Sequence, residues 1–142
     1  PALMVRDWKA PLAKYLKALI RSVPKDLDPE HSDLADKSVY SQFWQYPCWP
    51  TESAYQLSRL QKVVRSELGR IEIPAFVAYS TADAAIHPQS GPTLLRELGS
   101  PDKAELVLHK SGHGILVDAE RLVLFDRLHG WITTHVAPGE CC

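Results

Sequence analysis

The sequence has few cysteines and no excess of charge of either sign. Its three cysteines are Cys48 and the adjacent pair Cys141 and Cys142, a distribution unlike that of a disulfide-stapled secreted domain. Sixteen Lys and Arg oppose seventeen Asp and Glu, so the chain lacks the basic surplus that attracts phosphate backbones or anionic lipids. We therefore expect a reducing, cytoplasmic location and no nucleic-acid partner.

Long apolar runs are also missing. No stretch approaches the roughly 20 residues that a membrane helix needs, and no charged-then-apolar segment opens the chain. The sequence contains no glycine-rich phosphate loop, internal repeat or low-complexity tract. With 45% hydrophobic residues over 142 positions, the composition predicts a globular domain with a buried core and no membrane span.

The first residue, Pro1, is not an initiating methionine. Residues 1–6 resemble the end of a core strand whose beginning lies elsewhere. We therefore expect the sequence to be a fragment of a longer protein, with the remaining strands of its sheet upstream.

Residues 7–69 have the pattern of a helical cap or lid followed by a return helix. Apolar residues at three- and four-residue steps predict a helix over residues 9–23 that Pro24 ends. A polar stretch then leads into a cluster of large rings, which favours an irregular cap: Tyr40, Phe43, Trp44, Tyr46 and Trp49. A second helix is predicted over residues 51–68, with Gly69 as its terminator.

Residues 70–137 alternate between strand and helix patterns, and residues 138–142 form a tail to which we assign no function. Strands are predicted over residues 73–79 and 104–108, with a helix between them that ends at Leu98. Residues 118–135 predict a final helix that has Asp118 as its N-cap and an inward face of Leu122, Phe125, Leu128 and Ile132. This order is typical of an α/β fold in which helices cover a parallel sheet.

Asp83 and His113 each follow one of these two predicted strands. Loops at the carboxyl ends of parallel strands converge at one edge of the sheet, so we expect the two side chains to meet. A carboxylate can fix the tautomer of an imidazole and stabilise its charged form, while the second ring nitrogen takes a proton. The pair thus has the composition of two members of a catalytic triad.

The segments around both residues resemble the C-terminal part of an α/β-hydrolase, closest to the carboxylesterase and monoacylglycerol lipase branch. The matching stretches are residues 73–83, then Ile86, His87 and Pro88, and then Lys110, Ser111, Gly112, His113 and Gly114, with Asp118 four residues further on. The resemblance implies that Asp83 is the triad acid and His113 the general base, in the family's chain order.

The nucleophile motif Gly-x-Ser-x-Gly and the oxyanion-hole loop do not occur in this sequence. The resemblance implies that both belong to an N-terminal half of the same protein, so that the intact protein is a carboxylic ester hydrolase and this fragment alone is inactive. It implies no cofactor. A non-catalytic binding module or pseudoenzyme half is the alternative. An Asp nucleophile would indicate a dehalogenase or epoxide hydrolase, and thioesterase and peptidase activities stay open.

Four apolar residues are the candidate contacts of a small-molecule ester with an apolar acyl group: Phe43, Trp44, Ile86 and Ile115. For the two aromatic residues, plain packing is the competing interpretation. His109, His113 and Asp118 could suggest a metal site, but a strand end and a glycine turn separate the two histidines, whereas a four-residue spacing aligns ligands only on a helix. We therefore expect no metal.

Overall fold

The computed structural model of the chain describes residues 3–5, 12–42 and 44–136. Its helices and strands occur in the order α1 Ala13–Leu16, β1 Ser22–Pro24, β2 Cys48–Pro50, α2 Thr51–Glu67, β3 Ala75–Ser80, α3 Ser90–Glu97, β4 Lys103–Leu108 and α4 Arg121–His135. Short 3-10 turns in the described part lie at Pro29–His31, Lys37–Gln42 and Leu68–Arg70.

The strands β3 and β4 form a parallel pair, with Ala75 opposite Lys103 and Ser80 opposite Leu108. The helix α3 connects them and contacts β3. On α4, Trp131 packs against Phe76 of β3, with 5.7 Å between the ring centroids. The prediction of parallel strands with covering helices is confirmed, and both strands lie within two residues of their predicted bounds.

The core of this α/β part is a cluster of four buried leucine and valine side chains: Leu3, Leu68, Val77 and Leu98. Leu3 reaches it from the start of the chain, where the N–H of His87 donates to the carbonyl of Met4 at 2.9 Å. Val5 forms a single antiparallel bridge with Ile86. Residues 3–5 are therefore attached to the loop that follows β3.

The carboxyl ends of β3 and β4 are joined by hydrogen bonds. The N–H of Thr81 donates to the carbonyl of Leu108 at 2.9 Å, and the Ser80 hydroxyl donates to the carbonyl of Ser111 at 2.5 Å. The same hydroxyl accepts the N–H of Ala82 at 3.1 Å. The loops after the two strands therefore start side by side, as the parallel register requires.

The helix predicted over residues 9–23 is wrong for its second half. The helix α1 ends at Leu16, and residues 22–24 instead form the strand β1, in which Val23 pairs with Trp49 of β2. The side chains of Leu19 and Val23 are exposed. Because helices of this length depend on burying an apolar face, a face that is exposed here in the described residues does not stabilise a helix over the second half of the pattern. Residues 9–11 lie outside the described residues.

The predicted helices over residues 51–68 and 118–135 are present as α2 and α4, but the inward face of α4 differs from the prediction. Leu122 is 72% exposed, whereas Leu124 is 2% exposed, and Leu128 and Trp131 are half-buried. Leu124, Leu128 and Trp131 also recur at helical spacing, so the sequence offered two apolar stripes. Packing against β3 selected the one that carries Trp131.

The segment before α2 consists of short elements, with a 3-10 turn at Lys37–Gln42 and the two-stranded pair β1–β2. The Tyr40 hydroxyl donates to the carbonyl of Leu27 at 2.7 Å, and the Lys25 ammonium lies 3.7 Å from the centroid of the Trp49 ring. We call residues 25–49 the cap segment. That this segment acts as a cap stays a prediction.

Candidate active site

Asp83 and His113 meet beyond the carboxyl ends of β3 and β4. The His113 Nδ1 atom lies 2.9 Å from the Asp83 Oδ2 atom, within normal hydrogen-bond range. The Asp83 side chain is 13% exposed and that of His113 is 55% exposed. The structure therefore brings together the two residues that the sequence placed at one edge of the sheet.

The second oxygen of Asp83 is held by its own loop. Oδ1 accepts the main-chain N–H groups of Ala85 and Ile86, both at 2.8 Å. Burial alone would raise the pKa of Asp83, but the hydrogen bonds from His113 and from these two N–H groups outweigh it and lower the pKa. Asp83 is therefore ionised near neutral pH and can only accept, so the His113 Nδ1 atom donates the proton between them.

Glu120 holds the main chain of the loop that leads from β4 to His113. Its carboxylate accepts the N–H groups of His109 at 3.2 Å and of Lys110 and Ser111 at 2.8 Å. It also accepts the Ser111 hydroxyl at 2.9 Å. Burial opposes ionisation, but these bonds lower the pKa of Glu120 to about 2. The turn before His113 is thus folded around one ionised carboxylate.

Asp118 joins the same loop to the cap segment. Its fully buried carboxylate accepts four main-chain N–H groups: those of Asp36 at 2.7 Å, Ala35 at 3.0 Å, Gly112 at 2.6 Å and Ala119 at 2.8 Å. Burial raises the pKa of Asp118, but the bonds from these four N–H groups together exceed that effect, so that the net shift of the pKa is downward.

The prediction that Asp118 is the N-cap of the last helix is wrong. The helix α4 begins at Arg121 with Glu120 as its N-cap residue, and no side chain caps it by a hydrogen bond. The Asp118 carboxylate turns instead towards residues 35, 36 and 112. Local spacing suggested a cap because an Asp before an apolar periodic segment has that role in most helices.

Asp33 is a further carboxylate at this site that the sequence analysis did not find. Its Oδ2 atom accepts the N–H of His113 at 2.7 Å and the N–H of Ala84 at 3.2 Å. It lies in the cap segment, within a run of acidic residues that shows no periodic pattern. Glu120 was missed as well, although a carboxylate soon after a Ser-Gly turn is a signal that could have suggested it.

Two of the four predicted substrate contacts line a small cavity beside the Asp83–His113 pair. Ile86 and Ile115 lie on the wall of this space of about 80 Å³, to which Asp83 and His113 also contribute. Trp44 is 77% exposed and contacts Tyr46 edge to face, with 4.5 Å between the centroids; it is on the wall of neither this cavity nor the next one. Phe43 lies outside the described residues.

A larger cavity of about 420 Å³ lies between the cap segment and the two loops. Its apolar lining includes Leu34, Tyr40 and Trp49, and His113 and Gly114 also line it. Its remaining lining residues are Lys25, Asp26, Asp28, Ser32, Asp33, Gln45, Ala84 and Ala85. The imidazole of His113 therefore borders both cavities.

Among residues 3–5, 12–42 and 44–136, no group of three or more His, Cys, Asp or Glu side chains could hold a metal ion. No helix in the same ranges is long and apolar enough to cross a bilayer.

No protein-family model matches the chain, and no curated protein sequence matches it. Solved structures match it at the level of the fold. A structure from work on LipS and LipT, two metagenome-derived lipolytic enzymes, has a TM-score of 0.82 at 22% identity and covers 94% of this chain and 52% of its own length.

Two lipases give similar matches. A soluble variant of Saccharomyces cerevisiae monoglyceride lipase, solved with a substrate analog, has a TM-score of 0.73 at 15% identity, covering 96% of this chain and 54% of its own. Paleococcus ferrophilus monoacylglycerol lipase has a TM-score of 0.74 at 19% identity, covering 92% of this chain and 53% of its own. The chain therefore has part of an α/β-hydrolase fold and spans about half the length of these proteins.

Proposed function

We propose that this chain supplies the acid and the base of a carboxylic ester hydrolase of the carboxylesterase and monoacylglycerol lipase type. In this proposal the chain is the C-terminal part of the enzyme, and the serine nucleophile and the oxyanion hole belong to an N-terminal half. The observation that carries the proposal is the 2.9 Å contact between the His113 Nδ1 atom and the Asp83 Oδ2 atom.

This contact determines what each nitrogen of the His113 ring can do. An ionised Asp83 accepts a hydrogen bond from the Nδ1–H group, so Nδ1 keeps its proton. Nε2 is therefore the basic atom of the neutral ring. His113 Nε2 takes the hydroxyl proton of the serine as the serine oxygen bonds to the ester carbonyl carbon. The tetrahedral intermediate then expels the alcohol, which receives that proton from Nε2, and an acyl-enzyme remains.

The second half of the reaction uses the same atoms with water in place of the alcohol. His113 Nε2 takes a proton from water as the water oxygen attacks the acyl carbonyl, and it returns that proton to the serine when the acid leaves. Asp83 stays ionised throughout and stabilises the imidazolium that forms twice. No cofactor or metal enters these steps.

The substrate we propose is an ester with an apolar acyl group. Support comes from the larger cavity, which Leu34, Tyr40 and Trp49 line together with His113, and from the lipolytic activity of the proteins that share this fold. Ile86 and Ile115 beside the pair, and Phe43 and Trp44 in the cap segment, remain proposed acyl contacts. We further propose a cytoplasmic location, with which the free thiol of Cys48 is compatible.

The test uses the intact protein that contains this chain and a series of p-nitrophenyl esters. His113→Ala should lower kcat by at least about a thousandfold, because the general base is lost. Asp83→Asn should lower kcat by about ten-thousandfold, because the Asn amide can donate to Nδ1 and so favours the His113 tautomer with its proton on Nε2. His129→Ala, an exposed histidine on α4, is the matched control and should leave kcat unchanged.

Turnover that survives His113→Ala would remove this residue from the mechanism and overturn the proposal. A wild-type protein that folds but neither turns over any ester nor reacts covalently with a fluorophosphonate would instead favour the alternative, a non-catalytic binding module with this fold.

A further inference from the structure

Asp33 connects the cap segment to both loops of the proposed active site through one oxygen atom. Its Oδ2 atom accepts the N–H of His113 itself and the N–H of Ala84, the residue directly after Asp83. The main chains of the acid and of the base are thus joined to a single point that belongs to neither loop. The Asp83–His113 hydrogen bond joins the same two loops through side chains.

Other contacts fix the main chain of Asp33 close to the histidine loop. A Cβ atom added at Gly112 would clash with the carbonyl group of Asp33, so glycine is what allows the approach. The N–H groups of Ala35 and Asp36 donate to the buried Asp118 carboxylate, and Leu34 is buried. The Asp33 carboxylate therefore starts from a fixed main chain, which limits the positions that it can take.

We propose that Asp33 is a positioning residue that sets the separation and orientation of Asp83 and His113. This inference rests on the proposed ester hydrolysis. Nothing in the sequence pattern assigns a role to Asp33, and in the reaction steps above it touches no reacting atom. It acts through the main-chain N–H groups of His113 and of Ala84, the residue that follows Asp83.

The physical basis is the steep dependence of proton transfer on geometry. Hydrogen-bonded groups in an active site must be held within a fraction of an ångström, and a displacement of about 1 Å can cost about a hundredfold in rate. Charged acceptors form stronger bonds to N–H groups than neutral ones. The single oxygen of Asp33 can therefore hold the N–H groups of Ala84 and His113 at a fixed separation.

The experiment separates geometry from charge in the intact protein. Asp33→Ala removes the acceptor and should lower kcat ten- to a hundredfold, with KM changed less than about threefold. Asp33→Asn keeps one amide oxygen, which can accept both N–H groups, and should stay within about fivefold of the wild-type kcat. Asp36→Ala is the control: it removes the bonds of another cap-segment carboxylate to Ser38 and to Arg121 of α4. It keeps the main-chain N–H that donates to Asp118 and should leave kcat unchanged.

A second readout does not depend on activity. The proton on His113 Nδ1, bonded to Asp83, should give a far-downfield resonance that His113→Ala identifies by its loss. Asp33→Ala should broaden or abolish this resonance, whereas Asp33→Asn and Asp36→Ala should retain it. If the wild type proves inactive on esters, the proposed function fails, but this spectrum still tests whether Asp33 positions the pair.

If Asp33→Ala does not fold, Gly112→Ala provides the independent measurement, because it displaces Asp33 with its carboxylate intact and should lower kcat and weaken the resonance in the same way. Three results would overturn the inference: an unchanged resonance and kcat in a folded Asp33→Ala protein, a rise in KM alone, which would indicate a substrate contact in the larger cavity, or an equal loss in Asp36→Ala.

Discussion

The loops around His113 and the outer faces of the chain differ in how far their groups are satisfied by other groups of the chain. At the loops, four carboxylates each accept at least two main-chain N–H groups: Asp33, Asp83, Asp118 and Glu120. On the outer faces, large apolar side chains meet solvent instead, among them Leu60 of α2, Ile73 before β3 and Leu122 of α4.

The difference shows which part of the fold is stabilised by hydrogen bonds between carboxylates and main-chain N–H groups of this chain. Charge-assisted bonds to N–H groups need only the carboxylate and the loop that it holds, so the chain itself contains what orders the Asp83–His113 pair. Apolar surface stabilises a fold only when it is removed from water, at about 25 cal/mol per Å². Within the described residues, the exposed apolar faces therefore contribute little to the free energy of unfolding.

The largest expected effect concerns the apolar side. We expect the isolated chain of 142 residues to be poorly soluble, because within the described residues β3 pairs on one edge alone and exposed strand edges promote association. Calorimetry should show a broad transition, and the dye ANS should bind. A sharp, cooperative thermal melt without ANS binding would contradict this expectation.

On the polar side, Asp118→Ala should lower the free energy of unfolding of the intact protein by about 3 kcal/mol or more. It leaves the buried N–H of Gly112 and the partly buried N–H groups of residues 35 and 36 without their acceptor, at about 1–3 kcal/mol for an unsatisfied buried group. Denaturant unfolding measures the loss. Asp118→Asn, which keeps one acceptor oxygen, should lose less; equal losses in the two variants would show that these bonds are not what the carboxylate contributes.

Two glycines give a matched pair with opposite signs. Gly112→Ala forces a Cβ against Asp33 and should cost about 1–3 kcal/mol of unfolding free energy, as overpacked sites do. Gly130→Ala adds a Cβ that meets nothing within 4 Å on α4 and should stabilise by about 0.5–1 kcal/mol, because alanine is the better helix residue. Thermal melts of the two variants should therefore shift in opposite directions.

A further effect concerns the dependence of stability on acid pH. The folded-state pKa of Glu120 lies at about 2, below its ordinary value of 4.5. A depressed pKa contributes stability that is fully present above the unfolded pKa and is lost as the pH falls through the folded pKa. Between pH 5 and 2 the free energy of unfolding should therefore fall less with acid in Glu120→Gln than in the wild type. An identical dependence on pH in the two proteins would show that Glu120 does not contribute to it.

The sequence was most informative where structure depends on short segments. Strands β3 and β4 carry their own apolar runs, and Asp83 and His113 follow them directly, so their meeting required only a parallel register. Residues 9–23 have helical periodicity, but in the described residues the side chains of Leu19 and Val23 are exposed, and residues 22–24 form β1 instead. Asp33 reaches His113 across 80 residues of sequence, a contact that no local pattern encodes.

The central claim is that His113, held by Asp83, makes a serine of the intact protein nucleophilic. The rate of covalent labelling by a fluorophosphonate tests it most directly, because this reagent reacts with an activated serine and needs no particular ester. We expect one serine to be labelled in the wild type and in His129→Ala, and labelling at least about a hundredfold slower in His113→Ala. Equal labelling rates in all three proteins, or no labelled serine in any of them, would contradict the account.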